Sequence, residues 1–169
     1  MKQQVAKMVN QPNVIAFLDM LAFSEGTANH ALTRNRGYDV IVTGMDGKPE
    51  IFTEYQDHPF ASGRPGKVFN KQGQRSTASG RYQQLYRYWP HYKALLSLPD
   101  FSPESQDRLA IRLITERGAL NDVIAGRFEV AVSKCRNIWA SLPGAGYGQR
   151  EHGIDRLLVA YRQAGGQVA

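Results

Sequence analysis

Val14-Ile15-Ala16-Phe17-Leu18-Asp19-Met20-Leu21-Ala22-Phe23-Ser24-Glu25-Gly26-Thr27 is the stretch on which the reading of this chain turns. Val14, Phe17, Leu18, Leu21 and Ala22 recur at spacings of three and four, which predicts a helix with one buried face. Asn10 or Asn13 can cap that helix, Pro12 suits its first turn, and Gly26 suits its stop. One carboxylate, Glu25, is thereby left where helix gives way to loop. There it meets the negative end of the helix dipole, and burial beside Phe23 would further penalise its charged form, so both effects raise its pKa. A carboxyl group still protonated near neutral pH is the general acid that glycosidic bond cleavage needs. A solvated surface glutamate is the plainer reading of the same residue.

Downstream the pattern changes period. Tyr38-Asp39-Val40-Ile41-Val42-Thr43 is rich in β-branched residues and predicts a strand. Asp46-Gly47 is a hairpin signal, and Ile51 to Tyr55 reads as the returning strand. Pro59 to Gly80, with Gly63, Gly66 and Gly73 between basic residues, reads as a long loop, either a lid or a plain connector. Tyr82, Leu85, Tyr86 and Trp89 predict one helical face, broken or restarted at Pro90. Ser102-Pro103-Glu104 supplies a cap, a first-turn proline and an acid for the helix carrying Leu109, Leu113 and Ile114. Further helices are expected around residues 120–125, 128–140 and from Ile154 onward. The fold class is α+β: mostly helical, with one small antiparallel β element in the N-terminal half, in a single domain over residues 1–169 whose first eleven residues form a loose arm.

The 169 residues suffice for one sizeable core, and 42% apolar content fits a globular chain. A formal charge of +6 favours polyanions, whether nucleic acid, anionic membrane or cell wall. Arg and Lys are spread along the chain and do not gather on one helix face, which argues against a nucleic-acid partner. The single cysteine, Cys135, rules out an internal disulfide and reads as a buried small hydrophobe. Lys2 and Lys7 precede an apolar run, but Asp19 interrupts it and no small-residue cleavage site follows, so the pattern is not that of a signal peptide. No stretch reads as membrane-spanning. The four histidines lack metal-ligand spacing, and no cofactor fingerprint occurs, so neither metal nor cofactor is expected.

Two further stretches carry candidate binding groups. In Gly80-Arg81-Tyr82-Gln83, the glycine permits close approach, Gln83 can donate to and accept from a sugar, and Tyr82 offers a flat face; an ordinary helix start with a core tyrosine is the alternative. In Asn137 through Gln149, Tyr147 can line a groove beside a glycine-rich turn, whereas Trp139 reads as core. Asp39, Glu54 and Asp57 are each possible second carboxylates, and no spacing singles one out.

These stretches, taken together, resemble the lambda-type phage endolysins. The match runs through Phe17 to Thr27, Gly37 to Val42, Phe52 to Tyr55 with Asp57-His58-Pro59, Ser79 to Gln83, Phe101 to Asp107, Glu116 to Leu120, and Asn137 to Gln149, in family order over residues 14–166. Residues 45–49 and 60–75 depart from the family pattern. The resemblance implies a lysozyme-like fold and a lytic transglycosylase acting on bacterial peptidoglycan. It places the catalytic glutamate on Glu25 and the substrate-binding glutamine on Gln83; Tyr82, Tyr147 and Asp39 are the further candidate substrate contacts. It also implies a monomer without stable membrane insertion. Such an enzyme waits in the host cytoplasm until a separate holin admits it to the periplasm and wall. The alternatives are a hydrolysing lysozyme of similar fold, using Asp39 or Glu54 as second carboxylate, and a basic non-catalytic protein that binds wall or nucleic acid.

Overall fold

The computed structural model describes residues 11–146 and 151–169. A single domain is the expectation; the chain divides into two compact units: Asp107–Ala169 with the chain up to Glu25, and Gly26–Gln106. The loose arm expected before residue 11 lies outside the described residues, as does Tyr147.

In the first unit, α1 (Pro12–Ser24) begins at the expected first-turn proline, with Gln11 at the N-cap position and no side-chain cap from it. Asn10 is outside the described residues. Asn13 lies inside the helix, where its amide donates to the Ile124 carbonyl at 3.1 Å and its carbonyl accepts the Gln167 N–H at 2.9 Å. Ala16 and Met20 are buried alongside the predicted face, so α1 is enclosed on nearly all sides. Each fully buried large apolar side chain of this kind contributes about 1.5–3 kcal/mol. Phe17 meets the edge of Phe128, which in turn lies 4.8 Å from Tyr161. These rings tie α1 to α5 (Phe128–Cys135) and α6 (Ile154–Gln163). Between them the short α4 (Leu120–Ile124) presents Asp122 to Arg127 and Lys134. The helix expected over 128–140 ends at Cys135, followed by turns. Cys135 is buried, and burial pushes its thiol up to about 12, which leaves it unreactive at neutral pH.

The second unit carries two small antiparallel sheets, one more than expected. In the first, β1 (Val40–Ile41) pairs with β2 (Glu50–Ile51), Val40 opposite Ile51. Both strands are shorter than the sequence pattern suggests. In the second, β3 (Lys67–Val68) pairs with β4 (Arg75–Ser76) inside the stretch that reads as a loop. The helix expected from Tyr82 is also corrected: the backbone stays irregular to Leu85, passes through a 3-10 turn at Tyr86–Tyr88, and becomes α2 (Trp89–Leu96). Pro90 therefore sits in the first turn of a helix and breaks none. Its core gathers His58, Phe60, Trp89 and Phe101. Helix α3 (Pro103–Glu116) starts as predicted, with the Ser102 hydroxyl accepting the Ser105 N–H.

Candidate active site

Glu25 is the residue immediately after α1, and its own N–H still donates to the Leu21 carbonyl at 2.9 Å. The next residue, Gly26, has φ +73°, so the chain turns away in a conformation that favours glycine. The Glu25 side chain is half-buried. Burial pushes its pKa up to about 7, and the hydrogen bonds it takes from Ser141 hold it below where burial alone would put it. Desolvation is thus the main cause of the shift.

Ser141 was not singled out in the sequence. Its hydroxyl donates to Glu25 Oε1 at 2.5 Å and accepts from the Ser24 hydroxyl at 2.8 Å. Both serines are buried. The segment around Ser141 is fastened on both sides: the His152 N–H donates to the Ser141 carbonyl at 3.0 Å, and Trp139 and Leu142 are buried. Farther along, the Glu151 carboxylate accepts the N–H groups of Gly144 and Gly146 at 2.9 and 2.8 Å. Phe23, on the last turn of α1, stacks obliquely on His152 and lies under the Arg156 guanidinium, each about 5.5 Å from the ring centre.

The other candidate residues lie in the second unit. Asp39 is buried just ahead of β1, and both of its oxygens serve the neighbouring turn. Oδ1 accepts the Thr33 hydroxyl at 2.5 Å and Oδ2 accepts the Arg34 N–H at 2.8 Å. The Thr33 oxygen accepts the Gly37 N–H in turn. Tyr82 is 2% exposed and meets Tyr38 edge-on at 6.3 Å, so its ring packs in the interior and offers no open face. Gln83 is half-buried and has φ +50°, unusual for a residue with a side chain, and its amide donates to the Gly80 carbonyl at 3.1 Å. Of the remaining carboxylates, Asp57 accepts from the Trp89 indole and from Lys93, and Glu54 is exposed.

Gly80 has φ +79°, and a Cβ placed on it would lie 2.2 Å from Gln106 Oε1. Gln106, fully buried, is a hub that the sequence did not reveal. Its carbonyl oxygen accepts the Arg81 N–H at 2.9 Å, and its amide donates to the carbonyls of Tyr38 and Phe101. Gly80 N–H donates to the Val40 carbonyl, so the motif is hydrogen-bonded to β1 as well. Among the described residues, no group of three His, Cys, Asp or Glu side chains converges in a way that could hold a metal ion.

Residues 15–168 match the Endolysin family. The endolysin of Escherichia phage P2 is 75% identical over 157 residues, covering 93% of this chain and 95% of the relative. The endolysin of Escherichia phage lambda is 53% identical over 154 residues, covering 90% and 91%. Bacteriophage lambda lysozyme, in a structure complexed with a chitohexasaccharide, superposes with a TM-score of 0.84 at 50% identity, over 94% of this chain and 97% of that one. With matches of this extent in both sequence and fold, the chain belongs to the endolysin family and has a lambda lysozyme-like fold.

Proposed function

We propose that this endolysin cleaves the bond between N-acetylmuramic acid and N-acetylglucosamine in bacterial peptidoglycan by lytic transglycosylation. One observation carries the reading: Glu25 is a half-buried carboxyl whose pKa is pushed up to about 7, with a hydroxyl donor fixed on one oxygen. Near neutral pH such a group is present in both protonation states, which suits one residue that gives a proton and then takes one.

Glu25 protonates the glycosidic oxygen as the bond to the muramic acid C1 breaks. The 6-hydroxyl of the same sugar then attacks C1, and its proton passes to the carboxylate of Glu25. The product carries a 1,6-anhydro ring, no water is consumed, and the enzyme returns to its starting protonation state. The nucleophile belongs to the substrate, so its approach carries little entropy cost. Hydrolysis would instead need a second carboxylate to activate water or to form a glycosyl intermediate. Asp39, one of the candidate second carboxylates, has both oxygens engaged by Thr33 and Arg34, which supports the single-carboxylate reading.

Gln83 is the residue proposed to hydrogen-bond the sugar in the second unit. Its left-handed backbone is a strained conformation of the kind that clusters at ligand-binding positions. No helix among the described residues is long and apolar enough to cross a membrane. We take the enzyme to act as a monomer that accumulates in the host cytoplasm and reaches the wall once a holin permeabilises the membrane.

Mass spectrometry of digested wall tests the chemistry. Muropeptides one water lighter than their reducing-end counterparts are expected; a digest holding only reducing ends would replace this mechanism with that of a muramidase. The route to the wall has its own check. Cells expressing the enzyme alone should remain turbid until chloroform permeabilises them.

A further inference from the structure

We infer that the hydroxyls of Ser24 and Ser141 form a one-directional hydrogen-bond chain that reserves Oε2 of Glu25 for proton exchange with substrate. The inference rests on Glu25 being the acid, as proposed above, and concerns which of its two oxygens reacts. A serine hydroxyl has a single proton to give. Ser24 donates to Ser141 at 2.8 Å, and this fills an acceptor position on the Ser141 oxygen. The Ser141 proton is thereby directed to Glu25 Oε1, at 2.5 Å; the Ser141 backbone N–H also stabilises the charged carboxyl, and it is kept in every Ser141 variant. An oxygen that already accepts a short hydrogen bond is the less basic of the pair. In the acid form the proton therefore resides on Oε2. After transfer, the charge that develops strengthens the Ser141 bond, and the carboxylate stays in the same orientation to receive the returning proton on the same oxygen.

The surroundings are built to keep this chain in place. Ser24 is the last residue of α1 and adjoins Glu25 in sequence, so the first donor and the final acceptor share one backbone. Ser141 comes from a distant turn, whose carbonyl is held by His152 N–H and whose continuation is held by Glu151 across Gly144 and Gly146. The glycine-rich segment thus acquires a role as the support of Ser141. Ser24 and Ser141 are positioning residues: they act through Glu25.

Other charges must be accounted for before a pH effect is assigned to two hydroxyls. In this unit, the titratable and charged groups on the elements packed against α1 are Asp122 on α4, and Asp155, Arg156 and Arg162 on α6. His152 lies just before α6, and Asp19 is on α1 itself. Asp122 is paired with Arg127 and Lys134. The shift of Glu25 arises from burial and from Ser141, with no contribution from these charges.

The test is a carbon-13 titration of the Glu25 side-chain carboxyl in the full chain, alongside the pH profile of kcat/KM for wall lysis. Removing a donor to the charged form raises the pKa. Ser141→Ala should move the midpoint upward by about one unit, and the alkaline limb of the profile should move with it. Ser24→Ala should move both in the same direction by a smaller amount, because Ser141 is then free to turn its proton elsewhere. Ser141→Thr, which restores a hydroxyl, should return both toward the parent values. If Ser141→Ala does not fold, Ser24→Ala decides the matter. Unmoved midpoints in folded Ser141→Ala and Ser24→Ala would overturn the inference, as would a fall in kcat with no displacement of the limb. The titration needs no turnover, so it separates the two ideas. Glu25→Gln that still lyses wall refutes the catalytic assignment, whereas inactive Glu25→Gln with unmoved midpoints refutes the hydroxyl chain alone.

Discussion

Glu25 and Asp39 are both carboxylates removed from bulk water, and the two regions treat them oppositely. Asp39 has a donor on each oxygen, the Thr33 hydroxyl and the Arg34 N–H, and it organises the turn that leads into β1. Glu25 has its hydroxyl donor on one oxygen, and burial pushes it up to about 7. What separates the two is where the donors come from and what they hold: those on Asp39 tie a turn together through both oxygens, whereas those on Glu25 come from Ser141 alone and leave burial as the main influence on its pKa. The same arithmetic of satisfied atoms governs His58. Its Nε2 faces the Gln84 carbonyl at 3.0 Å and its Nδ1 accepts the Phe60 N–H, which fixes a neutral ring among Phe60, Tyr86, Trp89 and Phe101.

The contrast can be broken most decisively at Glu25. Glu25→Gln should lower the rate of wall lysis by roughly a thousandfold or more while far-UV circular dichroism and thermal melting stay near the parent values. Lysis within tenfold of the parent would remove the distinction between the two carboxylates.

Next in size is the response of His58 to acid. Burial holds its pKa down at about 4, against an ordinary 6.5, so the unfolded chain binds the extra proton first as pH falls. Stability is full above about 6.5, declines as pH falls toward 4, and is flat below; the loss from this residue amounts to about 3 kcal/mol. Denaturant melts of His58→Gln compared with the parent at pH 7 and pH 4 measure it: the variant should lack that part of the acid loss. An equal acid loss in both proteins would show that His58 is not its source.

Asp39→Asn should be felt as stability. It removes an acceptor from one of two part-buried donors and costs about 1 kcal/mol, with anhydro products still formed at rates within tenfold of the parent. A hundredfold loss of lysis from a folded Asp39→Asn protein would instead make Asp39 the second carboxylate of a hydrolase. The smallest effect belongs to Glu50, a third carboxylate paired with Arg64 and Lys67 at the surface. Exposed pairs are screened by solvent, so Glu50→Gln should change stability by less than about 1 kcal/mol, and the change should shrink further in high salt.

The sequence was most legible where burial imposed a period or a cap imposed a boundary. Helix α1 could be read from Val14, Phe17 and Leu21, and α3 from Ser102-Pro103-Glu104. The turn at Asp46-Gly47 likewise announced the pairing of β1 with β2. The second sheet was hidden because Lys67, Val68, Arg75 and Ser76 show no apolar alternation, and backbone hydrogen bonds alone define it. Residues 82–89 misled for the opposite reason: their aromatics imitate a helical face, but the bridge between Ser79 and Gln84 and the left-handed Gln83 exclude one. Glu25 could be found because a carboxylate at the end of an apolar helix is conspicuous. Ser141 and Gln106 could not, since a hydroxyl or amide becomes informative only when its partners, far away in sequence, are known.

For the history of such a chain, positions 80 and 106 behave as one locus. Any side chain at Gly80 must first evict the Gln106 amide, 2.2 Å from where its Cβ would stand. Eviction would strip partners from Arg81 N–H and from the carbonyls of Tyr38 and Phe101 together. A side chain at 80 therefore meets two separate penalties, the lost bonds of Gln106 and the left-handed backbone of the glycine itself, and a shorter residue at 106 would relieve only the first.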